Sequence, residues 1–137
     1  MRVILDTNVI IAAFASKGLC HSVFTLCIDR CEIILSSDIL QEVRDNLSRK
    51  IKLSSEIVEN IIDYLCSNVI IAEIDDVNIR VCRDPDDDKI LELAVKTQPD
   101  FIITGDDDLL SLKEFESIKI VKPREFWDIV KDKDNIV

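Results

Sequence analysis

Carboxylates dominate the chemistry that this sequence could perform. Asp6 follows the apolar run Val3-Ile4-Leu5, Asp84 and the triple Asp86-Asp87-Asp88 open a later segment, and Asp106 and Asp108 follow a second apolar run, Phe101-Ile102-Ile103. At an effective dielectric of about 20, each pair of carboxylates ~6 Å apart costs on the order of 3 kcal/mol. Three or four of them gathered in one place therefore need a proton or a cation among them. All-oxygen donors without imidazole or thiolate suit Mg²⁺ or Mn²⁺ rather than Zn²⁺. One or two such ions can activate a water and stabilise the leaving oxygen of a phosphodiester.

The elements that must position these acids follow from hydrophobic patterning. Val3 to Leu5 reads as a strand buried on both faces, which places Asp6 at the carboxyl edge of a sheet, where open α/β folds bind ligands. Asp6 or Thr7 could equally cap the helix from Asn8 to Ala15. A second helix through His21 to Arg30 and a buried strand from Cys31 to Ser36 continue the alternation. The next helix opens at Ser37-Asp38 with Ile39, Leu40, Val43, Leu47 and Ile51 on one stripe. Glu42 lies about 60° from Ile39 on that helix, with Asn46 and Arg49 on the same flank, so it can reach over the sheet edge or stay in solvent.

Ser54-Ser55-Glu56 starts a helix with Ile57, Ile61, Ile62, Leu65 and Cys66 inward, followed by a strand at Val69 to Ala72 and an acidic connector from Glu73 to Asp76. Asp84 is a good N-cap and Pro85 a good first residue for the helix that follows. There Asp87 precedes Ile90, Leu91 and Ala94 by three, four and seven residues and so faces the sheet edge, whereas Asp86 and Asp88 read as flank or solvent acids. After the Phe101 strand, Gly105 permits a sharp turn before Asp106 and Asp108. Lys119 to Val121 is the last strand, and Pro123 to Val130 a closing helix docked by Phe126 and Trp127. If the order of this parallel sheet reverses beside the first strand, Asp6, Asp87 and Asp106 converge.

Length fits a single domain over 1–130 with a polar tail at 131–137 expected to fray. A hydrophobic fraction of 47% with two glycines and three prolines excludes a disordered chain. No apolar run reaches the ~18 residues of a membrane span, and the chain enters a strand directly, so a soluble cytoplasmic protein with no membrane partner is expected. Five cysteines without a CxxC pair, with His21 as the lone imidazole, point to buried free thiols. The net charge of −10, from 17 basic and 27 acidic residues, has the wrong sign for a nucleic-acid binder. Bound cations would invert that sign locally.

Together these residues resemble the PIN domain family, in particular its VapC-like toxins. The resemblance spans nearly the whole chain: the opening Val3 to Asn8, Glu42 in the helix after the second strand, Asp84 to Ala94, Ile102 to Leu110, and Pro123 to Phe126. It implies an α/β/α Rossmann-like sandwich with parallel strand order 3-2-1-4-5, and a Mg²⁺- or Mn²⁺-dependent endoribonuclease. Carried over by position, Asp6, Glu42, Asp87 and Asp106 are the catalytic metal-binding acids with Asp108 beside them, and Thr7, Asn8, Asp84, Asp88 and Thr104 support them. The implied chemistry is in-line attack of water on an RNA phosphodiester, with Glu42 or Asp87 orienting or deprotonating the water. Arg44, Arg49, Lys50 and Lys52 are candidates for steering the RNA strand. An antitoxin that places a basic residue among the acids, and a second copy of the chain, are the implied protein partners.

Three other readings share part of this pattern. A haloacid-dehalogenase-type phosphatase needs an aspartate where Asn8 stands. A phosphoacceptor receiver domain would account for Lys122-Pro123, but lacks its acidic pair after the first strand. A PIN-like fold without catalysis would leave an RNA-binding module.

Overall fold

The computed structural model describes residues 1–74 and 78–134, with side chains through 131. Its strands are β1 (Arg2–Leu5), β2 (Glu32–Leu35), β3 (Ile70–Ile71), β4 (Phe101–Ile103), β5 (Glu114–Phe115) and β6 (Ile118–Val121). Its helices are α1 (Thr7–Ala15), α2 (Leu19–Arg30), α3 (Ser37–Arg49), α4 (Ser55–Asn68), α5 (Pro85–Thr97), α6 (Asp107–Leu110) and α7 (Pro123–Asp134). They form an α/β fold around one six-stranded sheet of order β3-β2-β1-β4-β6-β5. The five parallel strands take the expected order, with the last expected strand observed as β6. The antiparallel β5 is an addition on the outer edge.

Val3, Ile4, Leu5, Ile102 and Ile103 are fully buried, because helices cover both faces of the sheet. Register decides where the chemistry falls. Leu5 lies opposite Ile103 as the last pair between β1 and β4. Asp6 and Thr104 therefore leave the sheet side by side, and the Asp6 N–H still donates to the Ile103 carbonyl at 3.0 Å. On the far side, Phe101 meets Phe126 of α7 edge-on, with ring centroids 5.4 Å apart, while Trp127 is only half-buried.

Several boundaries and faces differ from the sequence expectation. On α4 the buried residues are Val58, Ile62 and Leu65, while Ile57 and Cys66 are exposed. The apolar pattern of that helix is broad enough to fit two faces, and packing on α3 selects the one carrying Val58. Of the cysteines, only Cys27 is fully buried, and Cys20, Cys31 and Cys82 are half-buried. The closing helix continues to Asp134, four residues beyond its expected end. Asp75 and Asp76 of the acidic connector, and the last three residues of the expected tail, lie outside the described residues. No single described helix is long and apolar enough to cross a membrane.

Candidate metal centre

Asp6 occupies the N-cap position of α1, yet its side chain makes no capping hydrogen bond. Its Oδ2 instead accepts from Thr104 Oγ1 at 2.7 Å, and the same hydroxyl oxygen accepts from the Asp106 N–H at 3.0 Å. A fully buried threonine thus ties the first acid to the loop that carries the third. Burial raises the Asp6 pKa, the Thr104 hydroxyl and the Thr7 backbone N–H oppose that rise, and the charge of Asp106 adds to it.

Asp87 is delivered by α5. Asp84 caps this helix by accepting from the Asp86 N–H at 2.9 Å, and Pro85 fixes its first turn. The phase of the helix then turns Asp87 inward, where it is 8% exposed. Its Oδ2 is fully enclosed, and among the described residues no donor reaches it. The pKa of Asp87 is pushed up to about 7, first by burial, then by the charges of Asp106, Asp6 and Asp84. Asp106 spends Oδ1 on capping α6, accepting from the N–H groups of Asp108 at 2.8 Å and Leu109 at 3.3 Å. Asp87, Asp106 and Asp108 each offer one oxygen to a group in which all ligand atoms lie within 4.8 Å of one another.

Glu42 reaches the same place from α3. Its Oε2 accepts from Thr7 Oγ1 at 2.9 Å, so the first residue of α1 locks the glutamate over the sheet edge. Its pKa is raised by burial above all, with Thr7 opposing and the charges of Asp86 and Asp6 adding. A pocket of about 260 Å³ is lined by Asp6, Thr7, Asn8, Glu42, Asp84, Asp87 and Asp106, together with Asp38, Asn46, Lys50, Asp86, Lys89 and Ile90. The four principal acids predicted from sequence therefore meet in one cavity. Asp108 joins the carboxylate cluster from beside the pocket and pairs with Arg83, Nη2 to Oδ1 at 2.6 Å.

Other expectations are corrected. Asp88 is not a solvent acid: its Oδ1 accepts from the N–H groups of Val81 and Cys82 at 3.0 and 2.7 Å. These bonds lower its pKa and pin the segment leading into α5. Of the four basic residues proposed to steer a strand, only Lys50 lines the pocket. Arg44 is committed to Glu59 of α4 at 2.9 Å, and Arg49 and Lys52 are exposed outside the lining. Sequence reading missed Lys89, whose Nζ is 3.9 Å from both Asp38 and Asp86. It also missed the role of Asp38 and Asn46 in the lining. The signal was the series Asp38, Glu42, Asn46, Lys50 at successive i+4 positions, a polar ridge along the α3 flank.

These donors fit a hard divalent cation. They are all oxygen, they crowd to ligand distance, and no donor among the described residues reaches the enclosed Asp87 Oδ2. A parallel sheet of this order, opening such a pocket at the carboxyl ends of β1 and β4, defines a class of Rossmann-like acidic-site domains. Within that class the chain belongs to the PIN domain family, whose model matches residues 2–108.

The chain is 30% identical over 141 residues to the uncharacterized protein MJ1680 of Methanocaldococcus jannaschii, covering 92% of this chain and 89% of that protein. Its fold is similar to a crystal structure of VapBC2 from Rickettsia felis bound to a DNA fragment from their promoter. That match has a TM-score of 0.63 at 16% identity and covers 89% of this chain and 98% of the solved one. The family match leaves no place for the phosphatase or receiver readings.

Proposed function

We propose that the chain is a Mg²⁺- or Mn²⁺-dependent endoribonuclease and the toxin half of a toxin–antitoxin pair. The observation that carries this reading is the enclosed, unpaired Asp87 Oδ2 at the meeting point of Asp6, Asp106 and Glu42. Asp87, Asp106 and Asp108 would hold the ion, with Asp6 and Glu42 beside it. When bound, the ion neutralises the crowded carboxylates and offsets negative charge developing on the scissile phosphodiester.

The remaining work falls to side chains. Glu42, with Oε2 held by Thr7, orients the attacking water and takes its proton at Oε1. Its raised pKa brings it nearer the operating pH, which favours a general base. Thr104 keeps Asp6 in one orientation, Asp84 and Asn8 shape the pocket wall, and Asp88 holds the incoming backbone of α5. Lys50 and Lys89 at the rim receive phosphates of the strand.

Support for the toxin reading comes from family membership and from the likeness to VapBC2. The partner would be an antitoxin presenting a basic side chain to the acids, with the toxin itself as a homodimer, and the net charge of −10 favours such a basic partner.

Purified protein incubated with structured and single-stranded RNAs is expected to cleave in Mg²⁺ or Mn²⁺ and to stop in EDTA. Asp6→Asn and Asp87→Asn variants should be inactive, and cleavage that survives EDTA or both substitutions refutes the mechanism. Expression of the wild type, but not of Asp6→Asn, should arrest growth of the host.

A further inference from the structure

We propose that Arg83 is a tethered cation that holds Asp108 until a divalent ion reaches the carboxylates, and then passes to a phosphate of the bound strand. This rests on the nuclease reading above and assigns a role to a residue that reading leaves idle. Asp108 is one of the three acids gathered to ligand distance, yet Arg83 already occupies its Oδ1 at 2.6 Å. The site thus contains a cation of its own on one of the acids that would hold an incoming ion.

Three features make this contact exchangeable. The Arg83 side chain is 87% exposed and that of Asp108 35% exposed, so solvent screens the pair and it is easily given up. The backbone on either side is anchored: the Cys82 N–H is fixed by Asp88, and Asp84 caps α5. Only the side chain of Arg83 is then left to swing. Finally, the enclosed Asp87 Oδ2 can be satisfied by an ion but by no protein donor among the described residues. An ion bound there draws Asp108 to itself and repels the guanidinium.

Once released, Arg83 lies beside the Asp106 and Asp108 end of the acidic row, while Lys89 lies beside Glu42, Asp38 and Asp86 at the other end. A strand crossing the cluster would meet a cation on each side of the scissile bond. The guanidinium fork suits both partners, because it matches carboxylate and phosphate geometry alike.

The test measures Mn²⁺ binding by calorimetry and single-stranded RNA cleavage on the full chain, comparing wild type with Arg83→Gln, Arg83→Lys and Lys119→Gln. The last removes the same charge from the opposite edge of the sheet, where Lys119 pairs with Phe101. Arg83→Gln is expected to bind Mn²⁺ about threefold more tightly, because a competing charge is gone, while its KM for RNA rises about fivefold with kcat little changed. The salt dependence of its RNA affinity should fall by about 0.7 in log–log slope, one phosphate contact. Arg83→Lys should restore the wild-type Mn²⁺ affinity but not the KM, and Lys119→Gln should alter neither.

Mn²⁺ affinity unchanged or weakened in Arg83→Gln overturns the proposal. It leaves the nuclease reading standing if the wild type still binds Mn²⁺ through Asp87 and cleaves RNA. A wild type that binds no Mn²⁺ overturns both.

Discussion

Replacing Asp87 by asparagine should stabilise the metal-free protein and destabilise the metal-loaded one relative to wild type. Burial and the charges of Asp106, Asp6 and Asp84 raise the Asp87 pKa from 3.8 to about 7. Between these values the folded state holds a proton that the unfolded state has lost. The stability linked to that proton is full below 3.8, falls as pH rises and is gone above about 7. At about 1.4 kcal/mol per pH unit the whole span amounts to roughly 4 kcal/mol. The open mouth of the pocket and added salt reduce this to about 1–2 kcal/mol. Asparagine carries no charge to crowd its neighbours, so at pH 8 in EDTA the variant should melt about 4–8 °C higher, an advantage that vanishes at pH 4. Saturating Mn²⁺ at about 100 times its Kd should stabilise the wild type by about 2.7 kcal/mol and Asp87→Asn by far less, so the order of the two melting curves reverses. Thermal denaturation across pH, with EDTA or Mn²⁺, checks both halves. A variant that melts lower than wild type in EDTA at pH 8, or gains as much from Mn²⁺, refutes the claim that this carboxylate is held in strain for a cation.

Glu42→Gln keeps an acceptor for Thr7 but loses the base, so kcat for RNA should fall about 10²-fold or more even at Mn²⁺ concentrations that saturate the variant, measured by steady-state cleavage with the Mn²⁺ affinity fixed by calorimetry. Thr104→Val leaves the buried Asp6 Oδ2 without its 2.7 Å donor and should cost about 1–3 kcal/mol in urea unfolding. Ser117 has φ of 70° in the turn between β5 and β6. Ser117→Gly should therefore raise stability by about 0.5 kcal/mol, strain relief exceeding the entropy that glycine adds to the unfolded chain. The pKa of the Cys31 thiol is lowered to about 7, chiefly by a hydrogen bond from Cys27, whose own pKa is raised. Iodoacetamide at pH 7 followed by peptide mass spectrometry should label Cys31 and exposed Cys66, and spare Cys27 and Cys82.

How much of this was legible in the sequence depended on whether a signal was local. Val3 to Leu5 and Phe101 to Ile103 announce buried strands because three successive apolar residues have no other use in a short segment. The inward phase of Asp87 follows from helical period alone, since Ile90, Leu91 and Ala94 fix which side of α5 is buried. Glu42 was different. Its distance round α3 from Ile39 allowed pocket or solvent, and the hydroxyl that decides the matter belongs to Thr7, 35 residues away. The role of Asp88 depends on the backbone of Val81 and Cys82 folding back over α5, which no periodicity encodes. The β5–β6 hairpin was missed for a third reason. Its two turn residues, Glu116 and Ser117, adopt positive φ without the Asn-Gly or Asp-Gly sequence that usually marks such a turn.

The acidic charge of the chain also reads differently once it is located. Seven carboxylates and two lysines line one pocket, a net −5, so half of the total of −10 sits in a single cleft. A surface average treats that charge as a barrier to nucleic acid, which for the bare cleft it is. Yet a cleft built from Asp6, Glu42, Asp87 and Asp106 is most strained in that bare state: Asp87 keeps its proton up to about pH 7, and one of its oxygens has no partner. Each divalent ion that entered would remove two units of the repulsion and relieve the strain together, so in the proposed nuclease the affinity for cations and the tolerance of a polyanion would arise from one arrangement. The charge that argues against a nucleic-acid partner in the sequence is therefore, in the fold, the means of gathering the ions through which such a partner could be held.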